Sequence, residues 1–290
     1  MRWKDARRSS NIETGGSGGR GGMRLGGGGL GLGGMAAVVV ISLLLGKNPL
    51  EMLGLVNSVV GGGSSTVVSQ APSAANAQNR DFVAAILGET EDVWGAVFQQ
   101  ANAQYEQPKL VLFSGGVQTA CGGASSASGP FYCPGDHKVY LDTGFFNEMR
   151  ARLGGGGDFA EAYVIAHEVG HHVQTLIGVS DKVNQARRAG QEVKGDGGLL
   201  VRQELQADCF AGLWAHHAQQ RHQWLEAGDI EEAMNTATAI GDDRLQKQSQ
   251  GTVVPDAFSH GTSEQRVRWF KRGFELGDVN ACDTFASRQL

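Results

Sequence analysis

Two histidines four residues apart, His167 and His171 in the run EAYVIAHEVGHHVQTLIG, are the pair around which the chain can be read. On a helix that spacing projects both imidazoles from one face, about one turn apart. A tetrahedral zinc ion, with Zn–N bonds of roughly 2.0–2.1 Å, needs that reach. Glu168 leaves the helix about 100° round from His167, where its carboxylate can take a proton from an activated water without binding the ion. By itself an HExxH also arises on helices whose histidines are merely exposed or satisfied in a core.

A second stretch changes that balance. Val201 to Ala218, VRQELQADCFAGLWAHHA, has a helical pattern and places Glu204 and Asp208 four apart on one face. Glu204 can complete a three-ligand set for one Zn2+, with the fourth position left to water. Asp208, a turn on, can accept the Nδ1–H of a ligand histidine and fix its tautomer. Acidic side chains on helices usually face solvent, but these stand among Leu205, Ala207, Cys209, Phe210, Ala211 and Leu213.

Hydrolysis through a tetrahedral intermediate also needs a donor to the oxyanion. His260, in SHGTSEQR just before a helix starting near Thr262 or Ser263, is assigned that role, with Tyr132 and Tyr140 as weaker alternatives. His172 points about 100° away from the ligand face. His216, His217 and His222 sit on a glutamine-rich helix end and read as a solvated face, and His137 is a loop residue without a role.

The elements that must hold these residues follow from pattern. Asp158 and Glu161 form an expected capping box for the HExxH helix, and Gly178 is placed to stop it in a left-handed turn. Gly170 costs about 1 kcal/mol relative to alanine inside a helix, which makes sense if another backbone passes close beneath the metal. Residues 82–101 have helical spacing, KLVLFS from Lys109 reads as a strand with Gly116–Ala120 as its partner, and KVYLD from Lys138 is another strand. Gly144–Leu153 reads as a helical turn, and Asp229 starts a helix that Gly241 stops. In EQRVRWFKRGFELGD, Val267, Phe270 and Phe274 face inward and Arg266, Arg268, Lys271 and Arg272 form the wet side. The expected architecture is an α+β domain over 81–290, its small sheet against the HExxH helix and the Glu204 helix beneath the metal.

Upstream the composition changes. Residues 1–24 carry six Lys/Arg against Asp5 and Glu13, so the remainder holds -9 of the total formal charge of -5. No basic face is left in the main body, and nucleic acid is excluded as a partner. Residues 1–24 are expected to be a disordered, cytoplasmic tail. Residues 25–46 are uncharged and long enough to span a bilayer of about 30 Å as a glycine-rich signal anchor. Arg20 and Arg24 before them fit the positive-inside bias, although a core strand or buried helix is the bland alternative. Residues 47–80 read as a flexible linker.

With the body outside, cysteines are expected to be oxidised: Cys121 with Cys133 as the local pair, and Cys209 with Cys282 tying the tail. Buried free thiols are the alternative. No CxxC pair is present for a thiolate metal site.

HEVGHHVQ and ELQADCFAG, with CGGASSASGPFYCPGDHKVYLD and HGTSEQRVRWFKRGF, resemble in order the motifs of the bacterial neutral zinc metallopeptidases, a YpfJ-like family of membrane proteins. The resemblance runs from the opening MRWKDARRSSNIE to the tail. It implies a zincin of the Glu-ligand type, in which His167, His171 and Glu204 bind zinc, Glu168 is catalytic and Asp208 stands behind a ligand histidine. The implied function is zinc-dependent endopeptidase cleavage of a peptide or protein substrate, at the inner membrane on its periplasmic side. The alternatives are a non-catalytic membrane-anchored binding module stabilised by zinc, and a zinc amidase acting on cell-wall peptides.

Overall fold

In the computed structural model residues 1–15, 74–152 and 157–290 are described. The first long helix, α1 (Ala74–Gln100), buries Phe82, Val83, Ile86, Leu87, Val93, Trp94 and Phe98, a stripe at helical spacing. It begins at Ala74, within the stretch 47–80 expected to be linker. The uncharged stretch 25–46 and residues 47–73 of the linker lie outside the described residues. Among the described residues, no helix is long and apolar enough to cross a membrane.

Among the described residues the main sheet has four strands in the order β1 (Ile12–Thr14), β2 (Lys109–Phe113), β6 (Lys138–Asp142), β5 (Phe131–Cys133). The first three run parallel and β5 is antiparallel to β6, so the sheet is mixed. Alternation sends Leu110, Leu112, Val139 and Leu141 to the main core, and Val111, Phe113, Tyr140 and Cys133 to a smaller cluster on the other face. The expected pairing of residues 116–120 with the KLVLFS strand does not form. That segment is β3 (Gly116–Thr119), which folds back on β4 (Gly122–Ser125) as a separate hairpin, while both edges of β2 are taken by β1 and β6.

Residues 1–24 were expected to be a disordered tail; of these, 1–15 pack on the body and 16–24 lie outside the described residues. Trp3 is buried, Ile12–Thr14 supplies β1, and arginines of the segment pair with acids on α1. The polar composition that reads as unfolded chain is here a set of matched charges around one buried aromatic ring.

After α2 (Phe145–Arg152) comes α3 (Asp158–Leu176), buried along most of its length, which carries the HExxH residues. Its N-cap is Gly157, with no side-chain cap, so the capping box expected from Asp158 and Glu161 is absent. Glu161 is turned inward and pairs with Arg150. Gly178 adopts φ 79° and leads into α4 (Val179–Arg188).

Beneath α3 runs α5 (Leu199–His222). A Cβ on Gly170 would lie 3.2 Å from Cα and carbonyl oxygen of Ala207, so this glycine is where the two helices approach most tightly. Then α6 (Asp229–Ala239) and α7 (Asp242–Gln250) lead to α8 (Ser263–Leu276), capped by Thr262 and Gln265 acting reciprocally. The α5–α8 seam is closer still. A Cβ on Gly212 would run into the Phe270 carbonyl, and one on Gly273 into that of Cys209. The Cys209–Cys282 disulfide fastens the tail beside this seam, and Cys121–Cys133 ties β5 to the turn after β3.

Candidate metal centre and its cleft

The turn spacing within α3 and the crossing of α5 bring three donors together. His167, His171 and Glu204 offer ligand atoms all within 4.8 Å of one another. Glu204 Oε2 lies 3.2 Å from His167 Nε2 and 3.5 Å from His171 Nε2. Two ligands at roughly 2.0–2.1 Å from a tetrahedral ion stand about 3.4 Å apart, so these separations are edges of such a site. Two imidazoles and one carboxylate are also a donor set that zinc takes in catalytic centres. The residues present fit the ion.

Each histidine is turned by a partner on its other nitrogen. His167 Nδ1 is 2.9 Å from Asp208 Oδ1, which leaves Nε2 for the metal. That aspartate is fully buried and also accepts from Tyr163 Oη at 2.5 Å and from Arg266 Nε and Nη2 at 2.8 and 2.9 Å. His171 Nδ1 is 2.9 Å from Gln174 Oε1, and the Gln174 amide donates to the Gln203 carbonyl at 2.7 Å and to Gln206 Oε1 at 3.0 Å.

Electrostatics follow this wiring. Burial opposes charge on His167, but the Asp208 carboxylate outweighs it and holds the ring up at about 10. Burial likewise works against ionised Asp208, and Arg266 and His167 hold it down at about 2. Glu204 is kept well below the ordinary carboxylate range, burial again opposing and His171 prevailing. A dication held by His167, His171 and Glu204 would take the place of the histidine protons that these carboxylates favour.

Glu168, 9% exposed, and His260 both line a cleft of about 440 Å³ that reaches all three ligands. His260 is oriented by Asp242, whose Oδ1 is 3.2 Å from Nδ1. Asp242 Oδ2 accepts the backbone N–H groups of Ser259, His260 and Gly261 at 2.6, 2.6 and 3.2 Å. Burial would lower the His260 value, but the bond to Asp242, with Glu204 nearby, raises it.

Tyr132 lines the cleft too, its hydroxyl 3.1 Å from His172 Nδ1. Tyr140 does not: its hydroxyl donates to Asp136 at 2.7 Å. His172 is sealed between Tyr132 and the Glu106 carbonyl, off the ligand face as expected. His216 and His217 are half-buried and meet the carbonyls of Phe274 and Gly277, and His222 meets Glu89, so the expected solvated face is in part a helix–helix contact.

Arg266, read from sequence as part of a wet side, is 3% exposed at the centre of the site. Its position was signalled by spacing: Arg266, Phe270 and Gly273 fall on one helical face, and that face is the buried one. Gln174 and Asp242 were not singled out from sequence. Gln174 lies three residues beyond a ligand histidine, while Asp242 stands 18 residues before the histidine it serves.

A metallopeptidase is what this fold and donor set define, and the family comparison agrees. Residues 1–285 match the family model described as "Putative neutral zinc metallopeptidase", and the chain belongs to that family. Among its relatives, protein YpfJ of Escherichia coli K12 is 47% identical over 289 residues, covering 98% of this chain and 99% of its own length. Protein Rv2575 of Mycobacterium tuberculosis H37Rv is 45% identical over 233 residues, 77% of each chain. No solved structure matches the chain with significance.

Proposed function

We propose that this zinc metallopeptidase is an endopeptidase in which Glu168 carries the protons and His260 steadies the developing oxyanion. A Zn2+ held by His167, His171 and Glu204 supplies Lewis-acid chemistry, polarising water and the scissile carbonyl. Glu168, beside His167 on the cleft wall, takes the proton of the attacking water and then delivers it to the leaving amine. His260, raised by Asp242, donates to the carbonyl oxygen as charge gathers there. Asp208 holds His167 in the tautomer that presents Nε2, and Gln174 does the same for His171.

The single observation that carries this reading is that the ligands and Glu168 open onto one cleft. A zinc that merely joined two helices would be closed on all sides and would have no use for Glu168. Substrate is an extended peptide laid along β5, the sheet edge that borders the cleft. The strand that carries Tyr140, β6, is paired on both sides and offers no such edge. Two disulfides support an oxidising, extracytoplasmic compartment, and attachment to the inner membrane remains part of this proposal.

The test is metal analysis with a broad peptide library on the full chain, comparing the parent with Glu168→Gln. Retained zinc with cleavage reduced about 10²–10⁴-fold is expected. Equal cleavage by both proteins would remove Glu168 from the chemistry. Cleavage confined to cell-wall amides would replace the peptidase by an amidase.

A further inference from the structure

The first fifteen residues are tied to the body by side chains that match one by one. Trp3 Nε1 donates to Asp158 Oδ2 at 2.8 Å, at the first residue of the HExxH helix, and its ring meets Phe82 edge-on at 5.1 Å. Arg7 reaches Glu91 at 2.7 Å and Asp92 at 2.8 Å, and Arg8 pairs with Asp81 at 2.7 Å. Ser9 and Asn11 both donate to Glu91 Oε1, at 2.6 and 2.7 Å. Glu13 then sits between Lys109 at 2.9 Å and Lys138 at 2.6 Å, while its strand lies parallel to β2. Space is made for this: a Cβ on Gly88 would stand 2.7 Å from the Arg7 carbonyl oxygen.

Without the segment the buried Glu91 would lose a guanidinium, a hydroxyl and an amide at once. A buried carboxylate stripped of its partners is among the costliest defects a core can carry.

From this docking we infer that residues 1–15 and the catalytic body lie on the same side of any membrane, so the chain between them crosses a bilayer an even number of times or not at all. β1 and β2 are hydrogen-bonded neighbours, about 4.8 Å apart as paired strands are. A single crossing within residues 25–46 would put about 30 Å of hydrocarbon between them. The two arrangements exclude each other. A single-pass anchor with its start in the cytoplasm is not compatible with this docking, whereas paired crossings, or none, are. This inference is independent of the proposed chemistry.

Ser10 and Gln185 are both exposed, one in the docked start and one on α4. The experiment compares full-length Ser10→Cys and Gln185→Cys in intact spheroplasts, using a membrane-impermeant maleimide before and after lysis. Labelling of the two within about twofold before lysis is expected. A difference of tenfold or more in either direction overturns the inference. If both react only after lysis, the shared side stands and the extracytoplasmic location proposed above falls.

Discussion

At the scale of single residues the site is a chain of dependencies ending on one aspartate. Asp208 accepts from His167, Tyr163 and Arg266 in a place without solvent, so no member can be removed cheaply. Arg266→Met leaves that carboxylate short of its counter-charge and is expected to cost about 3–5 kcal/mol in denaturant unfolding of the metal-free protein. Asp208→Asn, which keeps the volume but takes the counter-charge from the buried Arg266, should lower zinc affinity about 10–100-fold in a competition titration. Sequence showed HExxH and ExxxD because both are spacings within one helix. Spacing could place Arg266 on a buried face, but it could not name the partners of Arg266 or Asp242, which are 58 and 18 residues away. The Asp242–His260 pair also sets a pH dependence. His260 is raised above its ordinary 6.5, so its contribution to stability is complete below that pH and fades as pH rises through the folded value. His260→Gln should flatten the Tm–pH curve on that alkaline side, and an unchanged curve would show that the pair does not govern it.

At the scale of elements, glycine decides where helices touch. Gly170 was legible in sequence as a place for a neighbouring backbone, and Ala207 fills that place. The tighter α5–α8 seam was hidden, because Gly212 and Gly273 gain meaning only opposite each other's helices. Gly273→Ala forces the Cys209 carbonyl away and is expected to destabilise by about 1–3 kcal/mol. Gly95, in the last two turns of α1, has nothing within 4 Å of where a Cβ would stand. Gly95→Ala should therefore stabilise by about 0.4–1 kcal/mol. Opposite signs from the same substitution in two helices, read by urea unfolding, are the check; equal signs would mean that the seam relaxes freely. The sheet resisted sequence reading for a related reason. KLVLF and KVYLD announce buried strands, but their parallel pairing requires the intervening hairpin and β5 to be set aside, which local pattern does not dictate. A three-residue strand inside a polar opening, β1, carries no pattern at all.

At the scale of the whole molecule, both ends of the chain are fastened to the helices that build the site: the tail through Cys209–Cys282, the start through Trp3 and its flanking charges. The two fastenings differ in kind. The disulfide encloses a sequence separation of 73 and contributes about 4 kcal/mol whatever the pH. The start is held by ionised groups, and acid should undo it. Lys138 and Lys109 hold Glu13 below its ordinary 4.5, and Arg8 holds Asp81 below its ordinary 3.8. A carboxylate lowered in the folded state contributes stability that is present above its unfolded pKa and lost as pH falls through the lowered value. Release of the start is thus expected below pH about 4 and not between 5 and 6. Trp3 reports it, because the ring leaves a pocket in which it is 5% exposed. The difference in tryptophan emission between the parent and Trp3→Phe isolates that ring, and it should shift to the red only in the acid range, with Asp81→Asn moving the transition to higher pH. A shift already complete at pH 6, or one indifferent to Asp81→Asn, would show that something other than these carboxylates holds the segment in place.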